Sequence, residues 1–213
     1  MNCCPHCQDA EKFFNRAQAE RDLRAYQRKG AEGTTKWLLD AILSAGTAGK
    51  TLLDIGGGIG VIQHELMAAG AAGTTDVDAS GAYLQIAQQV AETRGYADKA
   101  SYRHGDFVAM ADSVEPADIV TLDRVICCYP HVEALVGLSS SKAKHLYGVV
   151  YPRDAWWMKM ALPVLNTMFR LQRSTFRSFI HPSALVERII TENGFHKLTQ
   201  REGILWQMVV YAR

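Results

Sequence analysis

Three acids and a run of glycines carry the most chemistry in this chain. Leu52-Leu53-Asp54-Ile55 leads into Gly56-Gly57-Gly58-Ile59-Gly60, and Thr75-Asp76-Val77-Asp78-Ala79-Ser80 follows, with Asp78 eighteen residues beyond Gly60. Glycine backbone lets a ligand approach the main chain closely, and an acid at the end of the next strand is placed for ribose hydroxyls. A dinucleotide loop reads G-x-G-x-x-G. Counted from Gly56 its third glycine falls on Val61, from Gly57 its second falls on Ile59, and from Gly58 its third falls on Gln63. Every register fails. Asp54 adds a negative charge at the mouth of the turn, where a pyrophosphate is repelled and a cation attracted. A nucleoside with a cationic amino-acid tail meets both conditions, and S-adenosylmethionine (SAM) is such a molecule. Asp78 is preferred to Asp76 as the ribose acid, because strand alternation leaves Asp76 two residues short of the strand end.

Other reactive side chains lie further along. Asp123 ends an apolar run, and Arg124-Val125-Ile126-Cys127-Cys128-Tyr129-Pro130-His131 follows it. Were the methyl of such a sulfonium the group transferred, the reaction would be an in-line displacement in which alignment supplies much of the acceleration. A carboxylate acceptor, with a pKa of about 4 in model compounds, is already ionised at neutral pH. A hydroxyl acceptor needs a base within hydrogen-bond reach. His131, Asp123, Tyr129 and His181 are the candidate bases; Cys128, Tyr129 and His131 are the candidate catalytic residues. Cys127 and Cys128 also offer a soft pair to a thiol or metalloid acceptor, although buried free cysteine commonly behaves as a small hydrophobe. Near the start, Cys3 precedes Cys4-Pro5-His6-Cys7. No thioredoxin-like unit comes before that C-x-x-C and no second ligand pair matches it, so a reduced, frayed terminus without metal is expected.

These groups need a scaffold, and the pattern supplies one. Residues 9–29 favour helix up to Gly30, and Thr34 or Thr35 is placed to cap a second helix through Trp37, Leu38, Ala41 and Ile42. Strands are expected at 51–55, 73–77, 100–104, 118–122 and 145–151, with helices at 61–69, from Ser80 to Gly95 and at 131–141 between them. A helix over 182–193 and strands at 196–201 and 205–212 close the chain. Such alternation predicts an α/β fold with a doubly wound, mostly parallel seven-stranded sheet, whose ligands bind beyond the carboxyl ends of the strands. Residues 1–33 form an N-terminal helical arm and 34–213 the main domain, with a lid insertion at about 154–180. The lid carries Trp156, Trp157, Met158, Met160, Phe169 and Phe176 among Lys159, Arg170, Arg173 and Arg177, with Arg153 just before it. Trp156, Trp157, Arg153 and Arg170 are expected to face a bulky apolar substrate bearing carboxylates, or a membrane surface. A buried lid helix with solvated arginines competes evenly with that expectation.

The totals exclude other classes. The 213 residues carry a formal net charge of +1, which gives no electrostatic case for nucleic acid. There is no apolar leader and no apolar run of spanning length, and five cysteines are an odd number, so a reducing cytoplasm is expected. Nothing in the sequence specifies an oligomeric state.

The whole pattern resembles the class I SAM-dependent methyltransferases over about residues 35–213. Asp54 with Gly56, Gly58 and Gly60 matches the family's glycine motif, and Asp78-Ala79-Ser80 its ribose acid. His104-Gly105-Asp106-Phe107 looks like its adenine site, Asp123 stands where the family meets methionine and substrate, and Glu192-Asn193-Gly194-Phe195 also matches. More closely, Leu122 to Pro130, Tyr151-Pro152-Arg153 and the Phe13-Phe14 helix ending near Tyr26 are similar to the magnesium-protoporphyrin IX O-methyltransferase family. That family esterifies a porphyrin propionate. It has a functional histidine where this chain has Cys128, and a tyrosine in the aromatic pair that is Phe13-Phe14 here. The resemblance implies a cofactor site of Asp54, Gly56, Gly58, Gly60, Asp78, Ala79, Asp106, Phe107 and Asp123. It further implies methyl transfer from SAM to a small molecule, with a tetrapyrrole-like carboxylate as one acceptor. Thiol or metalloid methylation, and SAM binding without catalysis, are the alternatives.

Overall fold

A computed structural model describes residues 5–171 and 174–213. The chain begins with α1 (Pro5–Phe13), α2 (Arg16–Lys29) and α3 (Gly33–Ser44). It then alternates through β1 (Thr51–Ile55), α4 (Val61–Ala68), β2 (Gly73–Asp78), α5 (Gly81–Thr93), β3 (Ala100–His104) and the short α6 (Phe107–Met110). β4 (Ala117–Asp123), α7 (Val132–Ser141) and β5 (Ala143–Pro152) complete the parallel part. After α8 (Trp156–Leu171) and α9 (Ser183–Glu192), β6 (His196–Glu202) and β7 (Trp206–Ala212) form a closing hairpin.

The seven strands lie in the order β3-β2-β1-β4-β5-β7-β6. All neighbours from β3 to β5 are parallel, and β7 runs antiparallel to both β5 and β6. The expected doubly wound, mostly parallel sheet is therefore present. Alternation assigns the two faces. Leu52, Ile119, Leu146, Val150 and Val210 pack under α3 and α4, while Leu53, Val120, Leu122, Tyr147 and Val209 pack with α7 and α9. The strand order reverses between β1 and β4, which places a crevice at their carboxyl ends.

Two local expectations are corrected. The stretch 9–29 is two helices: the chain breaks after Phe13, and the Asn15 side chain caps α2 by accepting from Gln18 N. Helix α3 has no side-chain cap, and its preceding residue is Glu32, because the Thr35 hydroxyl is committed elsewhere. Ser80 does cap α5, accepting from Tyr83 N.

Candidate functional site

A cavity of about 640 Å³ opens at the reversal of strand order. Its floor is the glycine turn after β1, with Asp54, Asp78 and Asp123 from the ends of three neighbouring strands. The turn is bare because it must be. Gly56 has φ +65°, and an added Cβ would stand 2.5 Å from Val125 Cγ2.

The acids divide the work around this turn. Asp76, fully buried beside Asp54 in the β1–β2 register, accepts from Gly57 N at 3.3 Å and Gln63 Nε2 at 2.7 Å. Asp78 accepts from Gly58 N at 3.0 Å and Ser80 N at 2.7 Å. Asp54 takes no turn amide. One of its oxygens accepts from Thr121 Oγ1 at 2.6 Å, and the other, Oδ2, is buried without a hydrogen bond. Burial pushes the Asp54 carboxyl up to about 7, against the Thr121 hydroxyl and with the charge of Asp123 adding to the rise; the nearby Gln63 amide holds it back. Asp76 is raised well above the ordinary carboxylate range by burial and by the charges of Asp78 and Asp54. Burial raises Asp78 too, while the Ser80 and Gly58 amides and His104 oppose it. Three carboxyls this close and this buried hold protons more tightly than free carboxylates do, and a cation entering the cavity would relieve the same crowding by favouring their ionised forms.

Asp123 is held by a side chain that the sequence did not point to. Thr35 Oγ1 donates to Asp123 Oδ2, and Arg124 Nε lies 3.2 Å from Asp123 Oδ1. Arg124 takes φ +63°, an uncommon conformation for a side-chain-bearing residue, where the chain turns out of β4. Asp106, also of the cavity lining, caps α6, accepting from Val108 N at 3.0 Å. Tyr129 Oη donates to the same carboxylate, 3.1 Å from Oδ2. Phe107 is buried in the core and lines the cavity, and Ala79 lines it beside Asp78.

The roof comes from the two ends of the chain's insertions. Phe13 of α1 stacks on Phe176 with ring centroids 4.6 Å apart, and Phe169 meets both rings edge-on. Cys7 is buried and lines the cavity, because α1 starts at Pro5 and lies over the site; the frayed terminus expected there is corrected as far as Cys7. Cys3 and Cys4 lie outside the described residues, as does Arg173. Among the described residues no three His, Cys, Asp or Glu side chains converge as a metal site.

Several candidate residues sit elsewhere. His131 is exposed at the start of α7, edge-on to Tyr129, and does not line the cavity. His181 bonds to Tyr129 O at 2.9 Å, also outside the lining. Of the expected lid anchors, Arg153 turns to the hairpin, bridging Glu202 at 2.8 Å and donating to Gly203 O at 3.1 Å. Trp156 is 74% exposed, and neither it, Trp157 nor Arg170 lines the cavity. Helix α8 has no buried residue; Leu165 and Phe169 are its contribution to the cavity. The buried lid helix is thus not found. No helix among the described residues is long and apolar enough to cross a membrane.

No family model and no curated protein sequence matches the chain. Its fold does match solved structures. Magnesium protoporphyrin IX methyltransferase from Synechocystis PCC 6803 with bound S-adenosylhomocysteine (SAH) superposes at a TM-score of 0.73 and 19% identity, covering 98% of this chain and 99% of that one. The same enzyme with bound SAM gives 0.69 at 18% identity over both full lengths. Geranyl diphosphate C-methyltransferase from Streptomyces coelicolor A3(2) gives 0.65 at 14% identity, covering 84% and 77%. This chain has the class I methyltransferase fold. The cyclase SpnF shares it at a TM-score of 0.60 and 15% identity, over 84% of this chain and 81% of that one, so the fold alone does not name the reaction.

Proposed function

We propose that this protein is a SAM-dependent methyltransferase whose acceptor is a carboxylate on a bulky, largely apolar small molecule. One observation carries the cofactor assignment: Asp54, a residue of the cavity lining beside the glycine turn, has a buried carboxylate oxygen, Oδ2, that no donor of the chain meets in hydrogen-bond geometry. Such an oxygen is costly unless a donor meets it. The ammonium group of an amino-acid tail is that donor. Asp78, with one amide on each oxygen, keeps lone pairs for ribose hydroxyls. The neighbours crystallised with SAM and SAH support the same ligand.

When bound, SAM supplies an electrophilic methyl on a sulfonium sulfur. The chain's own residues bind, orient and exclude water. Asp54 and Asp78 hold the two ends of the cofactor, Asp106 and Phe107 bound the base, and Thr35 fixes Asp123 beside the acceptor space. The aromatic roof of Phe13, Phe169 and Phe176 screens that space from solvent. Among the described lining residues there is no histidine or lysine, and Tyr129 Oη is spent on Asp106. An acceptor that arrives ionised fits this set, because it needs no base. The apolar walls fit its body, as porphyrin and geranyl substrates are named for the neighbours.

Calorimetry with SAM, SAH and NAD tests the cofactor, with binding expected for the first two alone; tight NAD binding would sink the assignment. A labelled-methyl screen over porphyrins, small acids, thiols and arsenite tests the acceptor. Base-labile label on an acid is the expected product. SAM binding with no transfer to any carboxylate would overturn the acceptor class.

A further inference from the structure

Two thiols lie in the wall of this cavity without a part in the chemistry above. Cys127 and Cys128 occupy the single-turn helix Ile126–Cys128 that follows Arg124. Their sulfurs are 3.6 Å apart, and both lean on the Arg124 carbonyl, Cys127 at 3.2 Å and Cys128 at 3.7 Å. Both residues line the cavity. The backbone of the turn is fastened, with Phe179 N donating to Cys127 O at 2.7 Å and Cys128 N donating to Val125 O at 2.8 Å.

Geometry keeps this pair from closing on itself. Consecutive Cα atoms across a trans peptide are about 3.8 Å apart. An ordinary disulfide needs roughly 4.4–6.8 Å between its Cα atoms. A vicinal disulfide would have to distort a turn that three hydrogen bonds hold, counting Tyr129 N to Ile126 O. The sulfurs therefore remain an open pair, spaced for a third atom to bridge. The Cys127 hydrogen bond and burial both push the Cys128 thiol up. The cavity that the two thiols share has Val125, Leu135, Leu165, Phe169 and Phe176 in its lining.

We propose that Cys127 and Cys128 form a chelating dithiol site for a trivalent organoarsenical, whose organic group lies in the apolar cavity. Sulfur ligands select soft, thiophilic centres. The step is a condensation. In R–As(OH)₂ two As–O bonds break and two As–S bonds form, and each hydroxide leaves as water with one thiol proton. Arsenic stays trivalent, so no oxidant or reductant is required. The site goes beyond carboxylate methylation and stands on its own geometry; its occupant would obstruct the acceptor space rather than the glycine turn.

Phenylarsine oxide is the probe, used on the full chain carrying Cys3→Ser, Cys4→Ser and Cys7→Ser. That background removes the other adjacent cysteine pair and the other cavity thiol. Intact mass should show one adduct per chain, equal to the oxide less one water. A 1,2-dithiol should strip it, whereas a monothiol at the same concentration should not. Adding Cys127→Ser or Cys128→Ser should weaken capture by 100-fold or more, because the chelate becomes a single bond. Circular dichroism and thermal unfolding of each variant report whether the fold is intact, and peptide mapping of the unsubstituted protein places the adduct without any mutation. An adduct mapped elsewhere overturns the proposal. So does one that a monothiol removes equally well, or no adduct on a protein whose two thiols react with a small alkylating agent. Failure of SAM binding with the adduct intact would instead count against the methyltransferase assignment.

Discussion

The Thr35 hydroxyl of α3 donates to the Asp123 carboxylate at the end of β4, across 88 residues of sequence. Arg124 Nη2 donates in turn to the Thr35 oxygen at 3.3 Å. A hydrogen bond to a charged group is worth about 1.5–3 kcal/mol net. Thr35→Val keeps the shape and removes the donor, so it should lose about 1–2 kcal/mol of stability in urea unfolding and weaken SAM binding several-fold. Thr35→Ser should restore both. Equal losses in Val and Ser variants would mean that packing of the methyl matters and the hydroxyl does not.

Asp54 makes the cofactor site sensitive to pH. Its carboxyl, raised to about 7 in the free protein, is neutral below that pH and anionic above it. A cationic ligand prefers the anion, so SAM affinity should fall by up to about tenfold per pH unit below pH 7. The stability sign is the opposite. Between the unfolded value near 4 and about 7 the folded state holds the extra proton, so this group's contribution to stability falls as pH rises through that window. His64, lowered to about 4 chiefly by burial, works against it: its contribution is lost as pH falls from about 6.5 towards 4. Comparing Asp54→Asn with the unsubstituted protein cancels the histidine. The variant's advantage should grow between pH 5 and pH 8, by something on the order of 2 kcal/mol. A pH-independent difference would put the titration elsewhere.

The turn itself is tested by a pair of alanines. Gly60 has φ +80°, and a Cβ there would stand 3.0 Å from His64 Cε1 and 3.2 Å from Ala87 Cβ. His64 cannot give, because Nε2 is 2.8 Å from Ile59 O and Nδ1 pairs with Tyr96 Oη. Gly95 has φ +75° with nothing near its Cβ position. Gly95→Ala should cost about 1–2 kcal/mol, the backbone strain alone. Gly60→Ala should cost at least 1 kcal/mol more, the range found for overpacking. Equal midpoints in urea would show that the ring moves.

Strand positions were legible because the strands are short apolar runs punctuated by glycine and acid. Thr51–Ile55 and Ala100–His104 match residue for residue, and the other strand ends fall within two residues. What local pattern misses is a partner far away in sequence. Phe13 ends α1 because its ring is taken by Phe169 and Phe176, so a helix-favouring stretch breaks there. Thr35 reads as a helix cap, yet it lies inside the first turn of α3 with its hydroxyl drawn to Asp123. Arg153 reads as a lid anchor, but Glu202 on the last hairpin claims it. The stacking of Asp54 against Asp76 needs the β1–β2 register, which spacing alone does not supply. Helix α8 was expected by period to be buried or substrate-facing, and most of its apolar stripe faces outward instead, with Met160 69% and Val164 63% exposed.

Asp78→Ala separates the two ends of the cofactor. Its carboxylate is the expected ribose contact and also ties down Gly58 and Ser80. SAM, SAH and adenosine should all lose about 1–3 kcal/mol of binding. Asp54→Asn should weaken SAM and SAH and leave adenosine unchanged, because adenosine lacks the amino-acid tail. If adenosine responds to Asp54 and not to Asp78, the cofactor lies the other way round in the cavity.

Tyr129 decides between positioning and catalysis. Its hydroxyl is 3.2 Å and 3.1 Å from the two oxygens of Asp106, so it joins the cysteine-bearing turn to the cap of α6. A positioning residue lost by Tyr129→Phe should weaken SAM binding by about fivefold, near 1 kcal/mol, with kcat changed little. A general acid or base lost by the same change should lower kcat by roughly 10²–10⁴ and leave SAM affinity alone. The hydroxyl donates to a carboxylate that caps a helix, and its own ring is held edge-on to His131. Both contacts serve to hold Asp106 still, and neither aims a proton at the acceptor space. The expected result is the fivefold change in binding; a thousandfold fall in kcat at constant affinity would return Tyr129 to the chemistry and, with it, make a hydroxyl acceptor tenable.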